Sequence, residues 1–562
     1  MDFNFHFKII DMIKNKFIAG LICLLVFTTA CKKQLDVVND NLPTLESSSN
    51  EPGLITLAGG SIYLNGFYNL KSTDGVYGRF WAGATGFHEM MGDIIGVEAA
   101  NAYINQIGMP NKVTYDNSTV VVNPSAVNTQ YALLRSVNIA SQQGANPAFY
   151  EWAYMYNMIV AANTILDINT RVKYSGDSLT KKATIQAWAY WWKGYAYARI
   201  GSIYYAGLIQ NVVVKEGIIT PTNGNYVTKE AIIAESNLNF DKVATALGAV
   251  TSPGAYDSLM TALIPEYQRM GKGGSLSVDQ WKRNINTMKA RNILVNTPMA
   301  SMSAAQWNSI LTLTNSGINA TDLIFTGRTN VNGDFLGTTI ANKVQSSASA
   351  TNTYKLSERW VQDFKPGDQR RANNVRTLNA GIGLFNTDRG NSFNSRYSLR
   401  NRGAGLAGVI VYANTDAGAL EITLCGTYEE NELMKAEALI RIGGQANIDQ
   451  AATLIDAVRI YQGAGLAAIG AGLTAAVVYE ELRRERRIGL AFKGLSFYDA
   501  RRWDIIDPTK SRTGAVLITP AGVVNTNATI NYGFLDYWDV PDNELAYNPA
   551  VSGSAPVKNP KQ

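Results

Sequence analysis

The sequence predicts a mainly α-helical protein, in which tetratricopeptide-like helical hairpins form a scaffold for long irregular loops and a few short β-hairpins. Three observations predict this fold class. Apolar residues recur at helical spacings in several long segments, small residues lie where helices would meet, and no run of residues alternates as the strands of a large sheet would. The hydrophobic content of 46% is ample for a large core in 562 residues.

The first predicted hairpin lies between residues 149 and 208. Its first helix, FYEWAYMYNMIVAANTILDI, places Trp152 and Ile159 on one face, because they are seven residues apart. Its second helix, KKATIQAWAYWWKGYAYARIGSIYYAGL, carries Gly194 and Gly201 at the same spacing. A glycine has no side chain, so we expect another helix to approach closely on that side.

Two further helical pairs are predicted downstream. In QWKRNINTMKARNILVNTPMASMSAAQWNSILTLTNSG, Pro298 marks the break and Ser303 the N-cap of the second helix. In ENELMKAEALIRIGGQANIDQAATLIDAVRIYQGAG, Gly443 and Gly444 end the first helix and Asp449 lies near the start of the next. The hairpins do not recur at a fixed period, so we expect them to be embedded in one domain.

The segments 321–425 and 508–550 are poor in helix signals and rich in Gly, Asn and Thr. They are predicted to form long loops with a few short hairpins. Loops of this length in a compact protein are usually functional or packed down by their own side chains.

The first thirty residues are typical of a secretory signal peptide. Lysines precede the apolar stretch FIAGLICLLVFTTA, which is too short to cross a bilayer and ends at Cys31. TTAC resembles a bacterial lipobox, with Thr28 in place of the usual Leu, and this implies a lipid on the Cys31 thiol. We therefore predict a signal peptide at 1–30, a lipidated tether at 31–52 and a single domain at 53–562.

Cysteine, histidine and charge exclude several classes of site. Cys23 leaves with the signal and Cys31 is lipidated, so Cys425 has no cysteine partner for a disulfide. His88 is the single histidine after the signal, which excludes most Ser-His-Asp and zinc sites. We predict no metal and no cofactor apart from the lipid. Removing residues 1–30 takes away three lysines and two aspartates, which lowers the net charge from +5 to +4, so nucleic acid is not an expected partner.

An arginine-rich segment, EELRRERRIGLAFKGLSFYDARRW, occupies residues 480–503. Its charges are mixed, so an ion-paired or solvated structural helix is favoured over a phosphate site. Glu485 falls on the apolar stripe of this helix, and we hypothesise that it is buried and paired with an arginine. Structural roles are predicted for four residues: Glu485, Arg486, Asp499 and Arg502.

This segment resembles the C-terminal signature of the SusD/RagB family of Bacteroidetes outer-membrane lipoproteins. The matching positions are Glu485, Arg486, Arg487, Leu490, Phe492, Gly494, Asp499, Arg501, Arg502 and Trp503. Three residues depart from the family pattern, which usually has acids at Gly489 and Lys493 and often Arg at Ser496. CKKQLD, YNMIVAANTILD, KGYAYARIGSIYYAGLI, ELMKAEALIRIGG and VPDNELAYNP resemble other family segments in the same order. The resemblance divides the domain into an N-terminal part, up to about residue 280, and a SusD/RagB part at 281–562.

The resemblance implies a non-catalytic binding protein on the cell surface, anchored to the outer membrane by its lipid. Such proteins cover a SusC-like TonB-dependent transporter and deliver oligosaccharides to it, or peptides in RagB-like members. A sugar ring packs its apolar C–H face on an aromatic side chain, while hydroxyls bind polar groups.

No family motif carries ligand residues over, so we choose candidates among loop aromatics and their polar neighbours. The segment YGRFWAGATGFHEMMGD supplies Tyr77, Arg79, Phe80, Trp81, His88 and Asp93. Further candidates are Tyr103, Trp360 and Tyr412. Packing of these loop aromatics onto the scaffold is an equally good interpretation for each residue.

Two other classes of protein remain as alternatives. A helical glycoside hydrolase needs two carboxylates across a cleft, and Glu89 with Asp93 or the cluster Glu429, Glu430 and Glu432 could supply them. A protein-binding repeat scaffold would instead expose an apolar groove. GKGGS at 271–275 lacks the spacing of a phosphate-binding loop and is interpreted as a flexible loop.

Overall fold

The computed structural model describes most of the chain after residue 48. The described residues are 49–59, 86–98, 108–122, 129–141, 146–213, 223–264, 266, 269–328, 354–378, 395–414, 421–507, 509–519 and 521–561. Most of them lie in helices, which confirms the predicted mainly α-helical class.

The helices of the N-terminal half include the longest ones in the described part of the chain. They are α1 (Glu51–Ala58), α2 (Gly86–Met91), α3 (Gln130–Val137), α4 (Pro147–Asn169), α5 (Ser178–Ile203), α6 (Lys229–Gly248), α7 (Pro253–Leu263), α8 (Val278–Val295) and α9 (Ala304–Asn315). The helices of the C-terminal half are α10 (Glu358–Val361), α11 (Gln369–Asn374), α12 (Tyr428–Ile442), α13 (Gln445–Tyr461), α14 (Ala475–Gly489), α15 (Ser496–Arg502) and α16 (Asp542–Leu545).

The first predicted hairpin is formed by α4 and α5, and α6 packs on the other side of α5. Gly194 faces α6, since a Cβ there would lie 2.7 Å from the Phe240 ring. A Cβ at Gly201 would lie 2.9 Å from Ile233 of the same helix. The close approach predicted from the two glycines is therefore made by α6, a helix that the sequence patterns did not single out.

The second and third predicted pairs are α8 with α9 and α12 with α13. Ser303 caps α9 in a capping box with Gln306. Gly443 and Gly444 separate α12 from α13 and have φ angles of 84° and 87°, which favour glycine. α13 begins at Gln445, so Asp449 lies near its start, one turn inside the helix. α12 packs against both α9 and α13, so the pairs form a continuous row.

The strands are short, and several pair residues that are far apart in sequence. They are β1 (Ile95–Glu98), β2 (Lys112–Thr114), β3 (Val120–Val122), β4 (Ala206–Gly207), β5 (Val227–Thr228), β6 (Thr326–Arg328), β7 (Tyr354–Leu356), β8 (Val375–Thr377), β9 (Tyr397–Leu399), β10 (Glu421–Thr423), β11 (Arg512–Ile518) and β12 (Val524–Asn531). β1–β7, β4–β5, β10–β6 and β8–β9 are two-stranded sheets. The predicted hairpin of the C-terminal segment is β11–β12, and β2 and β3 extend it to an antiparallel sheet in the order β11-β12-β2-β3.

Aromatic side chains fill the core of the first hairpin. Trp188, Trp191 and Trp192 of α5 are fully buried. The Trp191 ring lies 4.7 Å from that of Trp192 and 4.6 Å from that of Phe325, measured between ring centroids. Trp281 of α8 completes the cluster, with its ring centroid 5.5 Å from that of Phe325. This cluster joins α5 to α8 and to the segment before β6.

The arginine-rich segment forms α14 and α15, and buried ion pairs hold it. Glu485 is fully buried on α14 and accepts hydrogen bonds from Arg370 of α11 at 2.5 Å and from Arg459 of α13 at 3.1 Å. Arg486 and Arg502 both donate to Asp499, at 2.9 Å and 2.7 Å. These charges therefore form ion pairs in the interior, and the pairs connect α11, α13 and α15 to α14.

No helix in the described part of the chain combines the length and the apolar character that a membrane span requires.

Candidate functional site

Six of the residues singled out from the sequence lie outside the described residues. They are the lipidation candidate Cys31 and the ligand candidates Tyr77, Arg79, Phe80, Trp81 and Tyr103.

Trp360 and Tyr412 lie in the interior. Their side chains are 0% and 4% exposed, and their rings pack against each other with centroids 5.9 Å apart. Trp360 donates its indole N–H to the Arg487 carbonyl oxygen, and the Tyr412 hydroxyl donates to that of Ile488. The structure therefore gives these two candidates a packing role against the end of α14, because neither ring has a face open to a ligand.

His88 and Asp93 are also buried, at 1% and 6% exposure. The His88 ring packs edge-on against Tyr498 and lies 3.4 Å from the Glu151 carboxylate. Asp93 accepts hydrogen bonds from Arg359 and Arg512. Burial opposes ionisation of Asp93, but these two guanidinium groups outweigh it and hold its pKa well below the ordinary value. Both side chains thus have partners within the protein.

The described residues form a cleft of about 740 Å³ on the C-terminal side of the scaffold. Seven segments meet there: the loops at 271–272, 318–324 and 408–411, the beginning of β10 at Glu421, the first turn of α12, the end of α13 and the loop after α14. Its lining residues are Gly271, Lys272, Ile318, Asn319, Ala320, Thr321, Asp322, Leu323, Ile324, Gly408, Val409, Ile410, Val411, Glu421, Thr427, Tyr428, Glu429, Tyr461, Gln462 and Lys493.

Two tyrosines form an aromatic wall of this cleft. Tyr428 begins α12 immediately after the N-cap Thr427, and Tyr461 ends α13. Their ring centroids are 4.9 Å apart at an angle of 63°. Tyr461 is 37% exposed, and Lys272 lies 5.8 Å from its ring centroid. The pair offers a partly exposed aromatic surface next to an ammonium group.

A carboxylate, an amide and an ammonium group converge beside the tyrosines. Glu429 accepts hydrogen bonds at Oε1 from Gln462 Nε2 at 3.1 Å and from Lys493 Nζ at 3.2 Å. Burial opposes ionisation of Glu429, but Lys493 and Gln462 outweigh it and lower its pKa. Lys493, a departure from the family pattern, therefore has a partner in the cleft.

Glu421 supplies a second carboxylate of the cleft. Its Oε2 accepts the backbone N–H of Lys272. Gly271 has a φ of 56°, and a side chain there would collide with the Glu421 carboxylate, so glycine is required in this loop. Burial raises the pKa of Glu421. The first two residues of the segment GKGGS, Gly271 and Lys272, thus line the cleft.

The charges that line the cleft are balanced. Lys272 and Lys493 stand against Glu421 and Glu429, while the third acid, Asp322, is paired with Arg283 at 2.6 Å. Among the described residues, no group of three His, Cys, Asp or Glu side chains is arranged to hold a metal ion. This mixture of donors, acceptors and aromatic rings suits an uncharged ligand rich in hydroxyl groups.

Sequence reasoning missed most of this cleft. Glu429 was named as a possible carboxylate and Lys493 as a departure from the family pattern, but Lys272, Tyr428 and Tyr461 were not singled out. The signal in the sequence is weak: each tyrosine lies at a helix end, next to Thr427 or to the Gln-Gly pair at 462–463. Of the carboxylates in the hydrolase hypothesis, Glu429 lines the cleft, whereas Glu89 is fully buried and accepts the backbone N–H groups of Phe492 and Gly494. Glu430 is also buried and pairs with Arg291.

Comparisons with known proteins identify relatives of this chain. The model of the SusD family matches residues 430–556. Among curated proteins, none matches the chain.

Solved structures resemble most of the chain. A SusD superfamily protein from Bacteroides vulgatus is 14% identical, with a TM-score of 0.51 over 88% of this chain and 97% of that one. A SusD-like carbohydrate-binding protein from Bacteroides fragilis is 16% identical, with a TM-score of 0.54 over 90% and 98%. A protein crystallised with a xylogluco-oligosaccharide is 12% identical, with a TM-score of 0.50 over 90% and 99%. At these identities the likeness establishes the fold.

The family model covers most of α12 and all of α13 to α16, a region that contains the arginine-rich segment and three of the residues that line the cleft, Tyr461, Gln462 and Lys493. The resemblance predicted from that segment is confirmed: the SusD family model matches residues 430–556, and the fold is similar to solved SusD-like structures over about 90% of the chain.

Proposed function

We propose that this chain is a non-catalytic cell-surface lipoprotein that captures oligosaccharides and passes them to a SusC-like TonB-dependent transporter. The observation that carries the proposal is the cleft, where the Tyr428–Tyr461 pair adjoins balanced acids and lysines within a SusD fold. The carbohydrate-binding description of the Bacteroides fragilis protein and the xylogluco-oligosaccharide crystallised with another protein of similar fold support a glycan as the ligand.

Each part of the cleft matches one requirement of a sugar. The partly exposed ring of Tyr461 provides a flat surface for the C–H face of a pyranose. Glu421 and Glu429 accept hydrogen bonds from hydroxyl groups, and the ammonium groups of Lys272 and Lys493 donate to hydroxyl oxygens. Because the charges are balanced, a neutral saccharide enters without leaving an unpaired charge.

The tether and the transporter complete the proposal. A lipid on Cys31 would hold the domain at the outer membrane, since each buried acyl methylene contributes about 0.8 kcal/mol and two or more chains anchor stably. The SusC-like partner is inferred from the resemblance to the SusD family, which supports this part of the proposal. For such a partner, loss of the contact surface should abolish uptake while ligand binding remains.

A peptide is the second candidate ligand, because one wall of the cleft is apolar. Ile318, Leu323 and Val409 line it, and Ile460 beside Tyr461 is 79% exposed. A peptide with apolar side chains would bury this surface. Titration of the protein with both classes of ligand distinguishes a peptide from an oligosaccharide.

The experiment is calorimetric titration of the chain lacking residues 1–31 against xylogluco-oligosaccharides, other neutral oligosaccharides and short peptides, with product release measured in the same samples. Two variants are compared: Tyr461→Ala in the cleft and Tyr547→Ala, which is 80% exposed and does not line it. Tyr461→Ala should weaken binding by about fivefold or more, because a stacked aromatic contact contributes roughly 1 kcal/mol or more. Tyr547→Ala should bind like the parent chain.

Binding of a saccharide without cleavage, sensitive to Tyr461→Ala alone, is the expected result. Release of cleaved saccharide would instead favour the glycoside hydrolase alternative over a non-catalytic binding protein. Equal affinities of the two tyrosine variants would move the binding site away from the cleft, and failure of every saccharide and peptide to bind would favour a scaffold for another protein.

A further inference from the structure

Gln462 joins the cleft to the buried ion pairs of α14. It follows the last residue of α13 and is 1% exposed. One amide hydrogen goes to Glu429 Oε1 at 3.1 Å and the other to the Gly489 carbonyl oxygen at 2.9 Å. Its amide oxygen accepts from Arg370 Nη1 at 3.0 Å. The side chain therefore touches the beginning of α12, the end of α14 and α11 at once.

Arg370 fixes the orientation of this amide. A guanidinium group has donors only, so the group of Gln462 that faces it must be the carbonyl oxygen. Arg370 is itself fully buried and held by Asp368 and Glu485 at distances of 2.5 to 3.1 Å. A flipped amide would turn its NH₂ group toward Arg370 and its oxygen toward Glu429. The NH₂ group of Gln462 is consequently aimed at the carboxylate in the cleft.

We propose that Gln462 is the positioning residue of the cleft, held by Arg370 so that it locks the Glu429 carboxylate beside Lys493 for ligand hydroxyl groups. Glu429 makes its contacts with Gln462 and Lys493 through Oε1 alone. A carboxylate has acceptor sites on both oxygens, so it keeps capacity for a hydroxyl donor, while the ammonium group of Lys493 keeps donors for a hydroxyl acceptor. Two neighbouring hydroxyls of a sugar provide this donor and acceptor pair. This inference rests on the proposed function of the cleft.

The discriminating substitution is Gln462→Glu, which keeps the size of the side chain and its contact with Arg370. The second carboxylate oxygen then faces Glu429 where an NH₂ group had been, and like charges at this distance repel. At low pH the two carboxyl groups share a proton, which restores a donor between them. The other charged groups around residue 462 are Arg370, with its partners Asp368 and Glu485, on the buried side, and Lys493, Lys272 and Glu421 in the cleft. All of them are the same in both proteins.

The test measures Kd by calorimetry at pH 5 and pH 8, first with a xylogluco-oligosaccharide and otherwise with the ligand found by the panel above. Gln462→Glu should weaken binding about tenfold at pH 8 and less than about threefold at pH 5. The matched control is Gln450→Glu, an exposed position on the same helix, which should bind like the parent at both pH values. A loss that is equal at the two pH values would overturn the inference.

A double variant separates positioning from a general weakening of the fold. If Gln462 acts through Glu429, then Gln462→Glu should change Kd less than about twofold once Glu429→Gln is present, since the two effects are not additive. If the fold-changes in Kd of the two single variants multiply in the double variant, Gln462 does not act through Glu429.

A crystal structure keeps the inference testable even if no ligand is found. In Gln462→Met, which retains the bulk of the side chain but has no amide, the Glu429 carboxylate should move away from Lys493 while the Tyr428–Tyr461 ring pair stays in place. An unmoved carboxylate would overturn the positioning role. Absence of ligand binding with a displaced carboxylate would instead count against the proposed function alone.

Discussion

The first hairpin and the region around α14 are both deeply buried, yet opposite kinds of side chain fill the two interiors. Around α5 the core is aromatic, with Trp188, Trp191 and Trp192 in contact. Around α14 it contains charges, of which Arg370 and Glu485 are fully buried. The apolar contacts have no required direction, whereas each buried charge must face an opposite charge or a hydrogen-bond partner.

The difference explains how the two regions respond to change. An aromatic core loses contact area when a side chain is shortened and loses room when one is enlarged. A charged core loses the partner of a buried ion, and the ion that remains has no water to replace it. Stability of the C-terminal region should therefore depend on single atoms and on pH, and stability of the first hairpin should depend on shape.

The largest effect is expected at Glu485. Glu485→Gln leaves Arg370 and Arg459 without a shared carboxylate, so the free energy of unfolding should fall by about 3 to 5 kcal/mol. Glu480→Gln is the control on the same helix, because the Glu480 side chain is 45% exposed and pairs with Arg483 and Arg484. It should change stability by less than about 1 kcal/mol. Denaturant unfolding followed by tryptophan fluorescence measures both, and equal losses would contradict the contrast between the two regions.

A pH-dependent effect is expected at Glu89, which joins α2 to the C-terminal region. Its carboxyl group is fully buried and accepts the backbone N–H groups of Phe492 and Gly494 at 3.1 and 2.8 Å. Burial raises the pKa of Glu89 to about 7 from the ordinary 4.5. The folded protein keeps this proton between pH 4.5 and 7, where the unfolded chain releases it, so the stability that Glu89 contributes falls as the pH rises.

The measurement compares the parent chain with Glu89→Gln, whose side chain does not titrate. The parent's free energy of unfolding minus that of the variant should decrease by about 3 kcal/mol from pH 4 to pH 8. A difference that stays constant across this range would show that Glu89 titrates normally.

The smallest effect is expected in the aromatic region, at the close contact between α5 and α6. Gly194→Ala places a Cβ 2.7 Å from the Phe240 ring and should destabilise the protein by about 1 to 3 kcal/mol. Gly248→Ala, at the end of α6, meets no atom within 4 Å. It should leave stability unchanged or raise it by up to about 1 kcal/mol. Thermal unfolding at two pH values checks both, and a strong pH dependence of the Gly194→Ala effect would weaken the comparison.

Local patterns in the sequence predicted the helices and the caps well. Trp152 and Ile159 do share a buried face, Ser303 does cap α9, and Gly443 does end α12, because each depends on neighbours within one or two turns. Helix α6 carries a comparable pattern, with Ile232, Phe240 and Val243 buried, but its many polar residues conceal it.

The cleft and the ion-pair partners could not be predicted in this way. The polar position of Glu485 on an apolar stripe indicated burial, yet nothing local identifies Arg370, which is 115 residues away. Likewise Lys272, Glu421 and Tyr461 meet only after the chain has folded, so their common location is a property of tertiary structure. Trp360 and Tyr412 illustrate the opposite error, since both were ligand candidates and both are buried. The local sequence of a predicted loop is the same whether an aromatic ring in it is buried or exposed.

The sheet β11-β12-β2-β3 has a consequence for the order in which the chain becomes structured. β2 pairs with β12, so Val113 can pair with Ile530 only after more than 400 further residues have been added to the chain. Contacts between such distant parts of a chain form late and slow folding. In a polypeptide crossing a membrane from its N-terminus, the β2–β3 hairpin would lack its β12 neighbour until residue 531 has emerged. Any chain that stops earlier leaves an open sheet edge exposed to proteases and to aggregation, so the last strand to arrive decides whether the first strands are protected.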